Sequence, residues 1–305
     1  DSNLCEQERN FTNKIWNAFR LIKSWTVSSE IEQMDSSKVA VEWFKAKFSE
    51  NLSSINSSYD KFRISEALMS TYKAVWDDFC SWFLEMVKPP YGQPIDAKTF
   101  ESIIEIFENI LIIIHPFTPF ISEEIWQQLK KRKENEFIVN INWPKIDLNK
   151  TQINSDFESF QETVMCIRNL RKENNIAMKV VLDLKIKVNE ERSNKFDSLL
   201  IKIGNLKSLE FVDESLKGAF SFVVKNNEYY VPFNDFINTD QELNKLRAEV
   251  QDRKGFLNSI LKKINNEKFM ANAPEKVVQL ELKKKDDAES QIRILEERIT
   301  NLSNP

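Results

Sequence analysis

Residues 100–126, FESIIEIFENILIIIHPFTPFISEEIW, limit the possible folds more than any other stretch of the chain. Phe100, Ile103, Ile104, Phe107, Ile110, Leu111 and Ile114 recur at three- and four-residue steps, with Glu101, Glu105, Glu108 and Asn109 between them. That period describes a helix with one broad apolar stripe. Pro116 and Pro119 each remove a backbone donor and push the preceding residue out of α geometry, so the chain must turn there. Ser122 is expected to cap the next helix, with Glu123 and Glu124 in its first turn where the helix dipole favours negative charge. A helix this apolar needs several amphipathic partners.

The preceding hundred residues supply them. Phe11, Ile15, Trp16, Phe19, Ile22 and Trp25 mark a first helix, and Arg9, Asn13, Lys14, Asn17 and Arg20 populate its other side. A polar connection follows over residues 26–37. Val41, Phe44, Phe48, Leu52, Ile55 and Tyr59 then step through a second helix. Leu68, Tyr72, Val75, Phe79, Trp82 or Phe83, and Met86 mark a third over residues 65–87, which Pro89, Pro90 and Gly92 end. Five helices with short connections solve their burial problem as a bundle of antiparallel neighbours. Trp76 and Trp82 read as packing residues. Residues 137–141 alternate apolar and polar and read as a short strand or extended tail, closed by Trp143 and Pro144.

The character changes after Asp147. Residues 156–172 form one more helix, with Phe157, Phe160, Val164, Ile167 and Leu170 inward. Val180, Leu182, Leu184, Ile186 and Val188 alternate with polar neighbours, the signature of a half-buried strand. A short helix over 195–203, an extended stretch over 208–212 and a hairpin over 220–231 turning at Asn226 and Asn227 complete a small α+β module. From residue 240 the chain is helical without a globular core. Leu243, Leu246, Val250, Arg253, Leu257, Ile260 and Ile264 fall on a heptad seam interrupted once by arginine. Val278, Ala288, Ile292, Leu295, Ile299 and Leu302 continue a weaker seam beyond NNEKFMANAPE, where Pro274 can only begin a helix. An antiparallel coiled-coil hairpin follows from the two seams and the turn between them.

The chemistry a chain of 305 residues normally advertises is sparse here. Four glycines, and no G-x-G-x-x-G or Walker-type loop, argue against a site for nucleotide phosphates. His115 is the only histidine, and no nucleophile or orienting group is spaced to use it, so it reads as a residue that closes a turn. Three scattered cysteines, Cys5, Cys80 and Cys166, suit reduced cytosolic thiols, and no cysteine or histidine spacing suits a metal. The acidic pairs Asp77–Asp78 and Glu123–Glu124 read as solvated faces. The apolar run 110–114 is too short for a bilayer and no signal peptide opens the chain, so a cytoplasmic, membrane-free protein is expected. A hairpin whose turn brings its own two seams together leads to the expectation of a monomer. The first residue is not Met, as expected of a piece of a longer protein. A net charge of −4 disfavours indiscriminate nucleic-acid binding but allows a local basic face. These residues alone describe a binding or scaffolding protein.

Four blocks, taken in order, resemble one known family: ERNFTNKIWNAFRLI (8–22), FRISEALMSTYKAVWDDFCSWFLEMVKP (62–89), HPFTPFISEEIW (115–126) and NEKFMANAPEKVV (266–278). The family is valyl-tRNA synthetase, whose C-terminal third the chain resembles over nearly its whole length. The first three blocks are shared more loosely with the isoleucine and leucine enzymes of class I, whereas the F-M-A-N-A-P turn marks the valine enzyme. The resemblance implies a mostly α chain: an anticodon-binding helical bundle over 1–147, a small α+β linker domain over 148–237 and an antiparallel coiled-coil arm over 238–305. The parent would be a ligase joining valine to its tRNA with ATP. The HIGH and KMSKS signatures that hold ATP in the family are absent here, as is the editing domain, so this stretch alone is expected to catalyse nothing and to need no cofactor or metal. The competing readings are the matching region of the isoleucine or leucine enzyme, or a helical coiled-coil scaffold that binds proteins.

The resemblance also suggests residues. Arg20 falls where a family arginine touches an anticodon base, and Trp43 aligns with an aromatic that stacks there. A guanidinium can read a base edge and an aromatic ring can grip any base. Asn13, Lys14 and Asn17 share Arg20's polar face and are the other anticodon-side candidates. In the arm, Arg247, Arg253, Lys254, Lys262, Lys263 and Lys268 would follow the tRNA backbone, with the steep salt dependence such contacts carry.

Overall fold

The computed structural model describes residues 2–146, 152–232 and 239–265, together with helical residues 278–282, 284–286, 288, 289, 292, 293, 296 and 299. Contacts divide the chain into two compact units: Asp1–Asn169 with Glu190–Lys207, and Leu170–Asn189 with Ser208–Pro305.

The first unit is a helical bundle built on α1 (Ser2–Lys23), α2 (Asp35–Asp60), α3 (Ile64–Lys73), α4 (Leu84–Val87), α5 (Ala97–Ile114) and α6 (Pro119–Leu129). Most of α7 (Gln152–Glu173) and all of α8 (Asp197–Gly204) belong with it. Two short strands, β1 (Val27–Ser28) and β2 (Ile95–Asp96), pair in parallel, and helix α5 starts at the end of β2, where the Asp96 carboxylate accepts from the Thr99 amide at 2.8 Å. Its apolar stripe is buried at Ile103, Ile106, Phe107, Ile110 and onward to Ile114. Phe79 stacks on Phe107 with ring centroids 5.3 Å apart, and Phe44 packs edge-on against Phe79 at 5.6 Å and tilted against Phe83 at 4.7 Å. A second aromatic group joins Trp43, Trp82, Phe157, Phe160 and Phe196. Trp82 is buried there, and Trp76 is half-buried against Tyr72.

Several local expectations are corrected. The third helix is not uniform: a π-helical segment, Ala74–Phe83, joins α3 to α4, and within it the Ser81 hydroxyl donates to the Trp76 carbonyl five residues back. Ser122 does not cap α6. Pro119 takes the first helical position after Thr118, and Ser122 lies buried inside the helix. Its hydroxyl donates to the Thr118 carbonyl at 2.7 Å and sits 2.8 Å from His115 Nδ1, so the histidine closes the proline turn. Residues 137–141 are not a strand. A 3-10 turn, Ile138–Asn140, is held by the Glu123 carboxylate, which accepts from the Ile138 amide at 3.0 Å. Just before it, the nearly buried Arg132 guanidinium covers the Trp126 ring at 3.6 Å and pairs with Glu108 at 2.5 Å. Glu123 is therefore a tether rather than a solvated charge.

Strands β3 (Leu182–Lys187), β4 (Leu206–Phe211), β5 (Ala219–Val224) and β6 (Asn227–Pro232) form a sheet in the order β4-β3-β6-β5, which belongs to the second unit except for the first two residues of β4. Leu182, Leu184 and Ile186 are buried and their neighbours half-exposed, as the alternation requires. The β5–β6 register sets Phe222 opposite Tyr229, and their rings stack at 5.1 Å. The hairpin turns on Lys225 and Asn226, one residue earlier than expected, and Lys225 takes the left-handed conformation (φ 51°).

Helix α9 (Thr239–Ile264) follows in the same unit. Val250 and Ile260 on α9, and Ala288 and Ile292 beyond it, are buried. Lys254 pairs with Glu296 at 2.6 Å, and Lys263 with Glu281 at 3.7 Å. The partner number falls as the α9 number rises, so the two stretches run in opposite directions. The seam positions Leu243, Leu246, Leu295 and Leu302 and the turn over 266–277 lie outside the described side chains.

Candidate nucleic-acid interface

Helix α1 buries Phe11, Ile15, Ala18, Phe19 and Ile22. The 3.6-residue period then forces Asn13, Asn17 and Arg20, spaced four and three residues apart, onto one line of the opposite face. All three are exposed, and none of their side chains has a hydrogen-bond or ionic partner among the described residues. An unengaged guanidinium beside two carboxamides supplies donors and acceptors on one stripe. Arg20 and Lys23 also sit in the last turn of α1, where cations offset the unpaired carbonyls of the helix end. Asn10 is exposed one step further along the stripe; the helical period that singled out Asn13 could have singled it out too.

Lys14 belongs to a different side. Its ammonium lies 5.0 Å from the centre of the Trp76 ring, and Trp76 stacks in turn on Tyr72. That cation–π contact fastens α1 to the π-helical segment and leaves Lys14 half-buried.

Trp43 does not fit a base-stacking role in this arrangement. It is fully buried, and Phe157 stacks on its ring with centroids 3.7 Å apart. The reason is its place on α2, where Ala40, Trp43, Phe44 and Ala46 all turn inward. Its indole Nε1 has no hydrogen-bond partner among the described residues, and Trp43 lines a cleft of about 320 Å³ together with Lys47, Lys73, Asp77 and Asp78. Asp78 corrects a second expectation. It is buried, accepts from Asn51 Nδ2 at 2.8 Å, and has its carboxyl raised above the usual range by burial. Nearby Cys80 is an inert thiol, pushed up to about 12 by burial.

The arm candidates separate into two sets. Arg247 and Lys262 are exposed and Arg253 half-exposed, without partners among the described residues. Lys254 and Lys263 are exposed but each is paired with a glutamate from the helical stretch beyond 278. Lys268 lies outside the described residues. Lys284, which sequence reasoning did not select, stands 2.8 Å from Glu281. Among the described residues there is no group of three or more side chains able to hold a metal, and no helix long and apolar enough to cross a membrane.

Comparison with known proteins bears on the bundle and on the arm, and the α1 stripe lies ahead of the first matched stretch. Residues 41–186 match the family described as the anticodon-binding domain of tRNA ligase, and residues 238–303 match the valyl tRNA synthetase tRNA binding arm. The chain is 46% identical over 303 residues to a valine–tRNA ligase of Christiangramia forsetii and 45% identical to one of Parabacteroides distasonis. It is 31% identical over 313 residues to the valine–tRNA ligase of Bacillus licheniformis. These alignments take in 98–99% of the chain but only 34–35% of each relative, so the chain spans about a third of their length. Bundle and arm together define a tRNA-binding portion of a class I aminoacyl-tRNA synthetase. The chain belongs to the valyl-tRNA synthetase family.

Proposed function

We propose that this chain grips tRNA at two places, reading the valine anticodon with the exposed stripe of α1 and bracing the backbone with the arm, for an enzyme that joins valine to its tRNA using ATP. The observation that carries this reading is the pairing of an anticodon-binding match with a tRNA-binding-arm match, in that order, on one chain. The free stripe formed by Asn13, Asn17 and Arg20 agrees with it. We take the two opposed helical stretches of the second unit as the coiled-coil hairpin of that arm. Arg247, Arg253 and Lys262, having no partners among the described residues, are the first candidates for phosphates, with Lys254 and Lys263 beside them. Trp43 serves as a bundle-core residue and Lys14 as a tether to Trp76. The sequence has no ATP-holding signature, so bond formation and the ATP belong to other parts of the enzyme. The chain acts in the cytoplasm, as a monomer, away from membranes.

A titration tests this directly. The chain is mixed at low salt with valine tRNA and with a copy changed at the middle anticodon base. Weaker binding of the altered copy, and an affinity that falls steeply with salt, are the expected results. Equal affinity for both tRNAs removes anticodon reading; affinity indifferent to salt removes the backbone grip.

A further inference from the structure

We infer that Glu281 is a positioning residue that gathers lysines from both helices of the arm into one phosphate-binding cluster, an inference that rests on the arm's proposed contact with tRNA. Glu281, Ala288 and Ile292 are seven and four residues apart, so they share one helix face, and all three are buried. A carboxylate at such a seam position weakens packing relative to an aliphatic side chain. Two cations accompany it. Lys284, one turn along the same helix, donates to Oε1 at 2.8 Å, and Lys263 reaches across from α9 to within 3.7 Å of Oε2. These lysines, Lys284 first, hold the Glu281 carboxyl below the usual carboxylate range, so it stays charged.

The two lysines are not buried with their partner. Their side chains remain 58% and 43% exposed, while the Glu281 side chain is only 8% exposed. Each ammonium carries three donors, so one shared carboxylate leaves donors from both facing outward. Two positive charges against one negative leave the spot cationic. Lys262 and Lys285 adjoin in sequence, and Lys285 is itself paired with Glu289. A long lysine chain normally loses conformational entropy when it meets a phosphate. Glu281 imposes much of that ordering beforehand, on two helices at once.

The full chain with valine tRNA, titrated across salt concentrations, tests the role. Glu281→Gln removes a negative charge from a surface facing a polyanion, so charge alone predicts tighter binding. Positioning predicts the opposite: affinity lower by about fivefold to tenfold at low salt, and a salt dependence shallower by about one to two counterions. Glu281→Leu separates positioning from folding. It should leave the arm melting no earlier than the parent, by circular dichroism, yet bind tRNA as weakly as Glu281→Gln. Unchanged or tighter binding by either variant overturns the inference. A Lys263→Ala, Lys284→Ala double variant with unchanged affinity overturns the arm's proposed RNA contact, and the inference with it. Weakened binding by that variant beside unchanged binding by Glu281→Gln overturns the inference alone.

Discussion

The bundle and the arm solve the same problem, holding helices side by side, with different materials. In the bundle, Phe44 alone meets four other rings, those of Trp43, Phe48, Phe79 and Phe83. In the arm, the buried apolar positions among the described residues are Val250, Ile260, Ala288 and Ile292, small or medium aliphatic side chains accompanied by the exposed Lys254–Glu296 pair and by Lys263 reaching the buried Glu281. Aromatic interdigitation gains stability from area and ring geometry together. A two-helix seam has no third layer to cover it, so charge pairing and register matter more. The consequence is a division of labour on the surface. The bundle can leave Arg20, Asn13 and Asn17 unengaged because its stability lies elsewhere, whereas the arm uses some of its lysines to hold itself together.

The sharpest way to break this contrast is to remove a bundle ring. Phe44→Ala should cost roughly 3–5 kcal/mol, since Phe44 is fully buried and its neighbours cannot collapse into the void. Denaturant unfolding of the full chain measures it. A loss below about 1 kcal/mol, outside the usual range for such a truncation, means the ring network is not what holds the bundle. The complementary change is Arg20→Ala. It should weaken tRNA binding by about 1–3 kcal/mol, the range of a base-edge contact, while unfolding stays within about 0.5 kcal/mol of the parent. An Arg20→Ala chain that melts early but binds normally per folded molecule makes the stripe structural.

Much of the bundle and little of the site chemistry could be read from residues in order. The α5 stripe, the proline turn and the β3 alternation are periodic or stereochemical signals that each residue carries locally. The π-helical segment carries none, because Val75, Phe79, Trp82 and Phe83 satisfy an α period equally well. The fate of Asp78 and Glu123 was invisible for a related reason: their partners, Asn51 and the Ile138 amide, are 27 and 15 residues away. Trp43 looked like an aromatic available to an RNA base because its burial depends on Phe157, which lies more than a hundred residues further along. The exposure of Arg20 was legible because a helix period is enough to place it on the polar face, whereas its role toward an anticodon came only from the resemblance. Lys284 was passed over because its contact is with Glu281, a buried neighbour that no local signal marks.

Acid should change the stability of the two units in opposite directions. Burial raises the Asp78 carboxyl above its ordinary 3.8, so the folded bundle binds that proton more tightly than the unfolded chain does. Its contribution is complete below 3.8 and is lost as pH rises through the folded value. Glu228, on β6, is the reverse. The Tyr230 hydroxyl, then Asn189 and Lys187, hold it down to about 2, so its contribution is present above 4.5 and is lost as pH falls toward 2. Between pH 5 and pH 3, exchange protection of β6 amides should fall relative to those of α2. Asp78→Asn should remove the bundle's share of the difference. Parallel changes in both units contradict the assignment.

The smallest expected effect concerns the arm's own fastening. Lys254 and Glu296 are 2.6 Å apart, but their side chains are 49% and 50% exposed, so water already solvates both charges. Such a pair contributes about 0–1 kcal/mol, and Lys254→Ala should lower arm stability by no more than about 0.5 kcal/mol. Lys263 differs because its partner Glu281 is buried; truncating it leaves the carboxylate with Lys284 alone. Lys263→Ala should therefore destabilise the arm more than Lys254→Ala, though the Lys263 pair is the longer of the two by distance. Thermal melts of the two variants side by side measure the order. If Lys254→Ala costs as much or more, burial of the acceptor is not what ranks these pairs, and the arm is held by its surface charges more evenly than its seam indicates.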